Sequence, residues 1–385
     1  MPETRVAWLV PAIELGAYWQ PVLAHFHQSY PNAVFYTGKV YPTFDPSQPG
    51  AVIVQLVGQF SFQETQAVKT GYGRGIIMVS PKIIPELLKF RPQVVYPQAF
   101  SLWTVFAIAL KPLLGYKVVI IHDGSSPNTD LPRNNWRTVI RRLLVKFVDG
   151  FIANSEAGRQ YLLKALDVPG DRILKRIYLV PDRDALQQQL AAAEPPQLER
   201  LTRPIFLYVG RITPRKGLKP LLQACGHLKQ QGYRDYTLLI IGQGDQEAEL
   251  RALAQQYGIA DQLQWEGWVD YGRLGAYFQQ ADVFVFPTYE DVWGMVVSEA
   301  MVFGLPLLCS NGAAACELVQ TGENGFVFDP HDSAAIAEGM QYFLEHPERI
   351  GPMGDRSRAI IAQHTPETAA EAFMDMTQTM VGRGR

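Results

Sequence analysis

The chain has 385 residues, more than a single hydrophobic core usually serves, so two domains are the starting expectation. Hydrophobic residues make up 47% and charged residues 19%, which excludes a disordered chain, and no apolar run is long enough to span a bilayer. Net charge is −2, but residues 1–184 hold 20 Lys and Arg against 13 Asp and Glu (+7), and the remainder holds 15 against 24 (−9), so the first half suits something anionic. The N-terminal residues lack the order of parts of a signal peptide. Cys225, Cys309 and Cys316 form neither a disulfide framework nor a metal-ligand spacing. A cytosolic protein without metal, cofactor or nucleic-acid partner is expected.

Residues 5–11 (RVAWLVP) read as a first buried strand. A loop with Gly16 follows, where backbone could approach a ligand closely, and then a helix over 18–29. Further strands are expected at 33–37, 51–57, 75–79 and 94–96; residues 61–75 carry no clear pattern. Residues 117–124 (KVVIIHDG) read as strand then loop, with His122 and Asp123 at the carboxyl end, facing a ligand crevice; the plainer alternative is a hydrogen-bonded structural histidine. Residues 133–147 (RNNWRTVIRRLLVKF) form a basic amphipathic helix. It fits a solvated basic face over a core stripe, or contact with an anionic membrane surface. A strand at 151–153 leads through an Asn154-Ser155 cap into a helix over 156–166, and 177–181 reads as the strand that closes this half.

Residues 185–203, rich in Gln and Ala, read as a linker. The strand–helix alternation then restarts: strands at 205–209, 237–242, 263–265, 282–286, 305–310 and 325–329, with helices over 217–231, 246–257, 271–280 and 295–303. A last helix covers 366–380. Two doubly wound α/β halves facing each other across a cleft follow from this order. The expected division is 1–184 with 366–385 added, the linker 185–203, and 204–365.

Two turns of the second half carry chemistry. After the strand at 282–286 comes an acidic, aromatic turn, and then a helix whose first amides, at Gly294, Met295 and Val296, suit a phosphate. Asp291 stands before them and Glu299 eight residues further on, both able to accept bonds from sugar hydroxyls. After the strand at 205–209, Arg211 and Lys216 bracket a turn, and a cation pair there would complete a diphosphate site. Taken singly, each turn could be an ordinary surface turn.

With these residues in view, the chain resembles the family-4 retaining glycosyltransferases of the GT-B fold (glycosyltransferase group 1). YVGRITPRKGL, LLIIGQGDQEAEL, VFVFPTYEDVWGMVVSEAMVFGLPLL and GENGFVFDP carry the likeness in the second half, and FIANSEAG at the end of the first. The resemblance implies two Rossmann-like domains and transfer of a sugar from a nucleotide-diphosphate sugar, UDP by default, to an acceptor hydroxyl on a lipid, glycan or small molecule. It implies that Arg211 and Lys216 hold the diphosphate and that Glu299 binds the ribose. Asp291 would meet the transferred sugar, Trp268 and Val269 would line the base pocket, and His122 would stand beside the donor sugar. It also implies retention of configuration. The chain departs from the family in having Asp291 where glutamate is usual, only Gly16 in the first loop, and Pro181-Asp182-Arg183 for the usual Pro-Asn-Gly. Two other readings stay open: a catalytically silent nucleotide-sugar-binding subunit, and another GT-B enzyme such as a sugar epimerase. The lipid reading would place the protein at the inner face of the membrane.

Overall fold

The computed structural model describes residues 3–11, 16–40, 54–66, 74–125 and 135–382. They form two compact units. One runs to Val180 and takes back the C-terminal residues from His364; the other spans Pro181–Gln363.

In the first unit the elements are β1 (Val6–Leu9), α1 (Gly16–Ser29), β2 (Ala33–Thr37), β3 (Val54–Leu56), β4 (Phe60–Gln66), β5 (Arg74–Val79), α2 (Ile83–Phe90), β6 (Val94–Pro97), α3 (Leu102–Leu114), β7 (Lys117–His122), α4 (Trp136–Leu144), β8 (Gly150–Ala153), α5 (Glu156–Lys164) and β9 (Ile173–Lys175). The main sheet is parallel, in the order β3-β2-β1-β6-β7-β8-β9. Its central strands are buried on both faces, which is why they read as unbroken apolar runs rather than alternating ones. The stretch without a clear pattern, 61–75, contributes to an antiparallel pair, β4 with β5, that stands apart from this sheet.

Residues 177–181, expected as a strand, are not one. The last strand is β9, and the amides of Tyr178 and Leu179 are taken by the side chain of Asn154, both at 2.9 Å, instead of by a ladder. Ser155 alone is the cap of α5, accepting from the amide of Gly158.

The second unit holds α6 (Arg183–Ala192), β10 (Ile205–Val209), α7 (Leu218–Gln230), β11 (Thr237–Ile241), α8 (Glu247–Gln256), β12 (Leu263–Gly267), α9 (Tyr271–Gln280), β13 (Val283–Phe286), α10 (Met295–Val302), β14 (Leu307–Ser310), β15 (Gly325–Phe328), α11 (Ser333–Glu345) and α12 (Ile350–Ile361). Residues 185–203 are thus not a bare linker. Asp182 caps α6, which packs on α9 within this unit. Gln and Ala form helix as readily as they form linkers, and tertiary packing decides.

Its sheet is parallel, in the order β12-β11-β10-β13-β14-β15. The chain therefore leaves β10 to one side through β11 and β12, then crosses back to β13 on the other. That reversal is a topological switch point, where two neighbouring strands send their following loops apart and leave a crevice at their carboxyl ends.

The last helix, α13 (Pro366–Gly382), lies in the first unit against α1 and β6. Its Phe373 ring is 4.7 Å from that of Trp8, and Tyr96 donates to the Phe373 carbonyl at 3.0 Å. This aromatic packing is what carries the chain back to the first unit after it has completed the second.

Candidate functional site

The two turns singled out in the sequence lie side by side at the switch point of the second unit. β10 and β13 are hydrogen-bonded neighbours running in the same direction, so both turns leave the same end of the sheet. They are stitched together. The amide of Tyr289 donates to the Arg215 carbonyl at 2.9 Å, and the Thr288 hydroxyl donates to it at 3.1 Å. Arg215 Nη1 returns a bond to the carbonyl of Glu290 at 2.7 Å.

Gly217 permits this closeness. Its φ is +69°, and a Cβ built there would stand 1.9 Å from the carbonyl oxygen of Pro287. Gly294 does the same for the second turn: φ is +101°, and it is the residue from which α10 starts. Met295 and Val296 follow as the first two residues of α10, so the helix N-terminus, with the positive end of its dipole, lies at this turn. The second turn is also braced from behind. The Asp291 amide donates to Gly312 O at 2.9 Å, and Ser310 Oγ donates to Thr288 O at 2.6 Å.

Lys216 is nearly buried, with its Nζ 2.6 Å from Asp291 Oδ2 and 4.9 Å from the centre of the Phe286 ring. Arg215, absent from the residues predicted above, comes within 3.6 Å of the same carboxylate. Burial lowers the lysine's pKa, the neighbouring Arg215 and Arg211 lower it further, and Asp291 opposes them. Asp291 is thus paired with Lys216 and Arg215 through its Oδ2 atom. Arg211 sits at the exposed start of the turn, whose shape is fixed by the Tyr208 hydroxyl donating to the Arg211 carbonyl at 2.8 Å.

A cavity of about 820 Å³ opens beside Arg211. Its walls include Gly242 and Gly244 from the turn after β11, Glu247 of α8, and Trp268 and Val269 after β12. Trp268 is 65% exposed, an apolar plate at the cavity's edge. The same segment ends at Tyr271, whose hydroxyl donates to Glu299 Oε1 at 2.8 Å. Glu299, in the first turns of α10, is buried and held in orientation by that bond. Arg211, Lys216, Trp268, Val269, Asp291, Gly294, Met295, Val296 and Glu299 thus gather at one end of one sheet. Sequence reading missed Arg215 and Tyr271; both act through partners more than 25 residues away, which no local spacing reveals.

Gly16 and His122 belong to the first unit. Gly16 is the first residue of α1 rather than part of a loop; the residues before it, 12–15, lie outside the described residues. His122 ends β7; the residue is only 6% exposed, and its ring lies against Tyr161 with centroids 5.7 Å apart. Its Nε2 is 3.1 Å from Ser125 Oγ. Burial, with Arg141 nearby, lowers its pKa to about 4, so the imidazole is neutral at physiological pH. Beside it, Asp123 accepts from Gln98 and from the Tyr178 hydroxyl, and burial raises its carboxyl to about 6.

A parallel sheet in the 3-2-1-4-5-6 order in the second unit, and its seven-stranded counterpart in the first, define a GT-B protein built of two Rossmann-like units. Residues 192–360, which lie almost wholly within the second unit, match the family model described as glycosyl transferases group 1. Among curated proteins, an alpha-D-kanosaminyltransferase of Streptomyces kanamyceticus is 25% identical over 56% of this chain and 56% of its own length. A D-inositol 3-phosphate glycosyltransferase of Xylanimonas cellulosilytica is 27% identical over 64% and 61%. The chain therefore spans about six tenths of the length of these relatives. Among solved structures, Anabaena HepE in complex with UDP superposes with a TM-score of 0.73 at 16% identity, covering 98% of this chain and all of that one. Sucrose-phosphate synthase of Thermosynechococcus elongatus superposes at 0.70 with 18% identity, covering 99% and 100%. Among the described residues, no helix is long and apolar enough to cross a membrane.

Proposed function

We propose that the chain is a glycosyltransferase that moves a sugar from a nucleoside-diphosphate sugar to an acceptor hydroxyl. One observation carries the reading. Arg211, Lys216 and the N-terminus of α10 converge at the carboxyl ends of β10 and β13, beside a cavity of nucleoside size edged by Trp268. UDP is the nucleotide we assign by default, in line with the UDP held by HepE.

In the reaction the bond between the anomeric carbon and the diphosphate oxygen breaks, and that oxygen gains a negative charge as the carbon becomes oxocarbenium-like. Fixed positive potential lowers this barrier most where it needs no rearrangement. Lys216 and Arg215, locked onto the second turn, provide it together with Arg211 and the α10 amides. These groups do so without a metal ion, and no cofactor enters the scheme. A bond from the acceptor oxygen to the anomeric carbon replaces the broken one, and the hydroxyl proton leaves with the diphosphate. Retention of configuration is proposed on the resemblance. Tyr271 and Glu299 are assigned to the ribose. His122, held neutral by burial, is assigned a hydrogen-bonding role and not an acid–base one. A lipid or glycan hydroxyl met at the inner face of a membrane is the acceptor class we favour.

The Lys216–Asp291 pair favours one second reading, a nucleotide-sugar-binding subunit that does not turn over, because it occupies a cation the chemistry needs. A thermal-shift screen across nucleotide sugars, followed by donor hydrolysis assays, separates the two. Turnover that is abolished in Lys216→Ala supports the enzyme. A raised melting point without turnover supports the silent subunit, and no shift with any nucleotide sugar overturns both.

A further inference from the structure

The helix α4 is amphipathic in the reverse of the usual sense. Its residues Trp136, Val139, Ile140 and Leu143, followed by Phe147 in the turn after it, lie 63%, 54%, 46%, 56% and 54% exposed. Their spacing places them along one stripe. The residue it buries is a threonine, Thr138. It is tethered inward by a cation: Arg141 Nη1 donates to the Tyr161 hydroxyl at 2.8 Å, and its guanidinium stands 5.2 Å from the centre of the Phe100 ring. Five large apolar side chains in one stripe are costly to leave in water, and such a patch marks a docking surface.

Charge identifies what it docks on. A pocket of about 260 Å³ lies next to the stripe, lined by Lys111, Lys117, Lys146 and Arg172 against a single carboxylate, Asp149. Four cations against one acid leave it at +3. Lys111 connects the two features, its Nζ bonded to the Phe147 carbonyl at 2.8 Å and paired with Asp149 at 2.7 Å. At the other end of the stripe the Arg137 guanidinium lies 5.3 Å from the centre of the Trp136 ring. Aromatic and aliphatic groups flanked by cations match the boundary between acyl chains and anionic headgroups. Residues 1–184 carry +7 overall, which suits the same surface.

We propose that α4 and the turn after it dock the protein on an anionic lipid bilayer, with the apolar stripe in the interface and the Lys111–Lys117–Lys146–Arg172 pocket on lipid phosphates. The proposal is independent of the transfer reaction, because none of these residues belongs to the donor site.

The test is co-sedimentation of the full chain with vesicles of phosphatidylcholine, with and without phosphatidylglycerol, compared with the double variants Val139→Ser/Leu143→Ser and Lys146→Glu/Arg172→Glu. All four positions are exposed, two apolar and two basic, and unchanged melting curves establish that the variants fold. The parent is expected to sediment with the anionic vesicles only, and each double variant to bind about tenfold more weakly or worse, with high salt reproducing the loss. Absence of parental binding, or binding that both variants retain, overturns the proposal. So does a parent that is dimeric in solution, fails to bind vesicles and becomes monomeric in Val139→Ser/Leu143→Ser, since the stripe then serves a second copy of the chain. Donor hydrolysis in Val139→Ser/Leu143→Ser is expected to equal the parent's, which separates a failed docking surface from a failed enzyme.

Discussion

Lys216 Nζ lies 2.6 Å from Asp291 Oδ2, and this pair links the two turns at the switch point of the second unit. With Arg215 it forms a trio of net charge +1. A diphosphate arriving at the site competes with Asp291 for the lysine. Replacing Asp291 with asparagine keeps the shape and removes the competitor, at the cost of a neutral partner for a nearly buried lysine. We expect Asp291→Asn to bind free UDP about tenfold more tightly, equivalent to about 1.4 kcal/mol. Turnover of the donor should fall, because the leaving diphosphate is held longer and the sugar loses a carboxylate. Calorimetric titration with UDP and a donor hydrolysis assay check both halves. Weaker UDP binding with turnover intact would assign Asp291 a purely structural role.

Tyr271 acts one step away from the ligand. Its hydroxyl holds Glu299 Oε1 at 2.8 Å, while the segment it ends supplies Trp268 and Val269 to the cavity. Tyr271→Phe removes a single hydrogen bond to a buried carboxylate, worth about 1–2 kcal/mol. If Glu299 grips the ribose equally in ground and transition states, KM for the donor rises about tenfold while kcat stays near the parent's. A loss confined to kcat would move Tyr271 from positioning the donor to the chemical step.

The strands and the donor turns were legible because both are local. Ile205–Val209 and Val283–Phe286 are unbroken apolar runs, as strands buried on both faces must be, and each is followed by a turn rich in glycine, proline and charge. What pairs across the fold was not. Nothing near Arg215 points to Glu290, and nothing near Tyr271 points to Glu299. The α4 helix shows a second limit. Periodicity reveals that Trp136, Val139, Ile140 and Leu143 share a face, but not which way the face turns. Only the contacts of Thr138 and Arg141 settle that, and they reverse the reading of a core stripe. Residues 183–192 show a third: a Gln- and Ala-rich run serves a linker and a helix equally well until α9 packs against it.

Gly217 is required for shape. An alanine there meets the Pro287 carbonyl oxygen at 1.9 Å in a left-handed conformation, so the clash adds to the strain. Gly232, at φ +97°, would suffer the strain alone, since nothing stands within 4 Å of its added Cβ. Gly232→Ala is expected to cost about 1 kcal/mol and Gly217→Ala about 3 kcal/mol, read as melting-point shifts in that ratio. Because Lys216 is the preceding residue, only Gly217→Ala should also weaken UDP binding. Equal shifts for the two variants would mean that the turns separate freely, and the picture of a pre-set diphosphate cradle would fail.

His122 and Asp123 are neighbours displaced in opposite directions. The histidine's pKa falls from 6.5 to about 4, so between those values the unfolded chain takes up a proton that the folded one refuses, and stability drops as pH falls. The aspartate's rises from 3.8 to about 6, so the folded chain is the one that takes up the proton, and stability grows as pH falls through that window. Over the shared range, from about 6 to about 4, the two slopes nearly cancel. Removing one exposes the other. Asp123→Asn should lose about 3 kcal/mol relative to the parent on going from neutral pH to pH 4, the product of the aspartate's shift and about 1.4 kcal/mol per unit. His122→Gln should instead gain stability over the same range. Urea unfolding of the three proteins across that pH series, compared as differences from the parent so that other carboxyls drop out, measures both slopes. Parallel curves for all three would mean that neither group is held in the protonation state that its burial imposes.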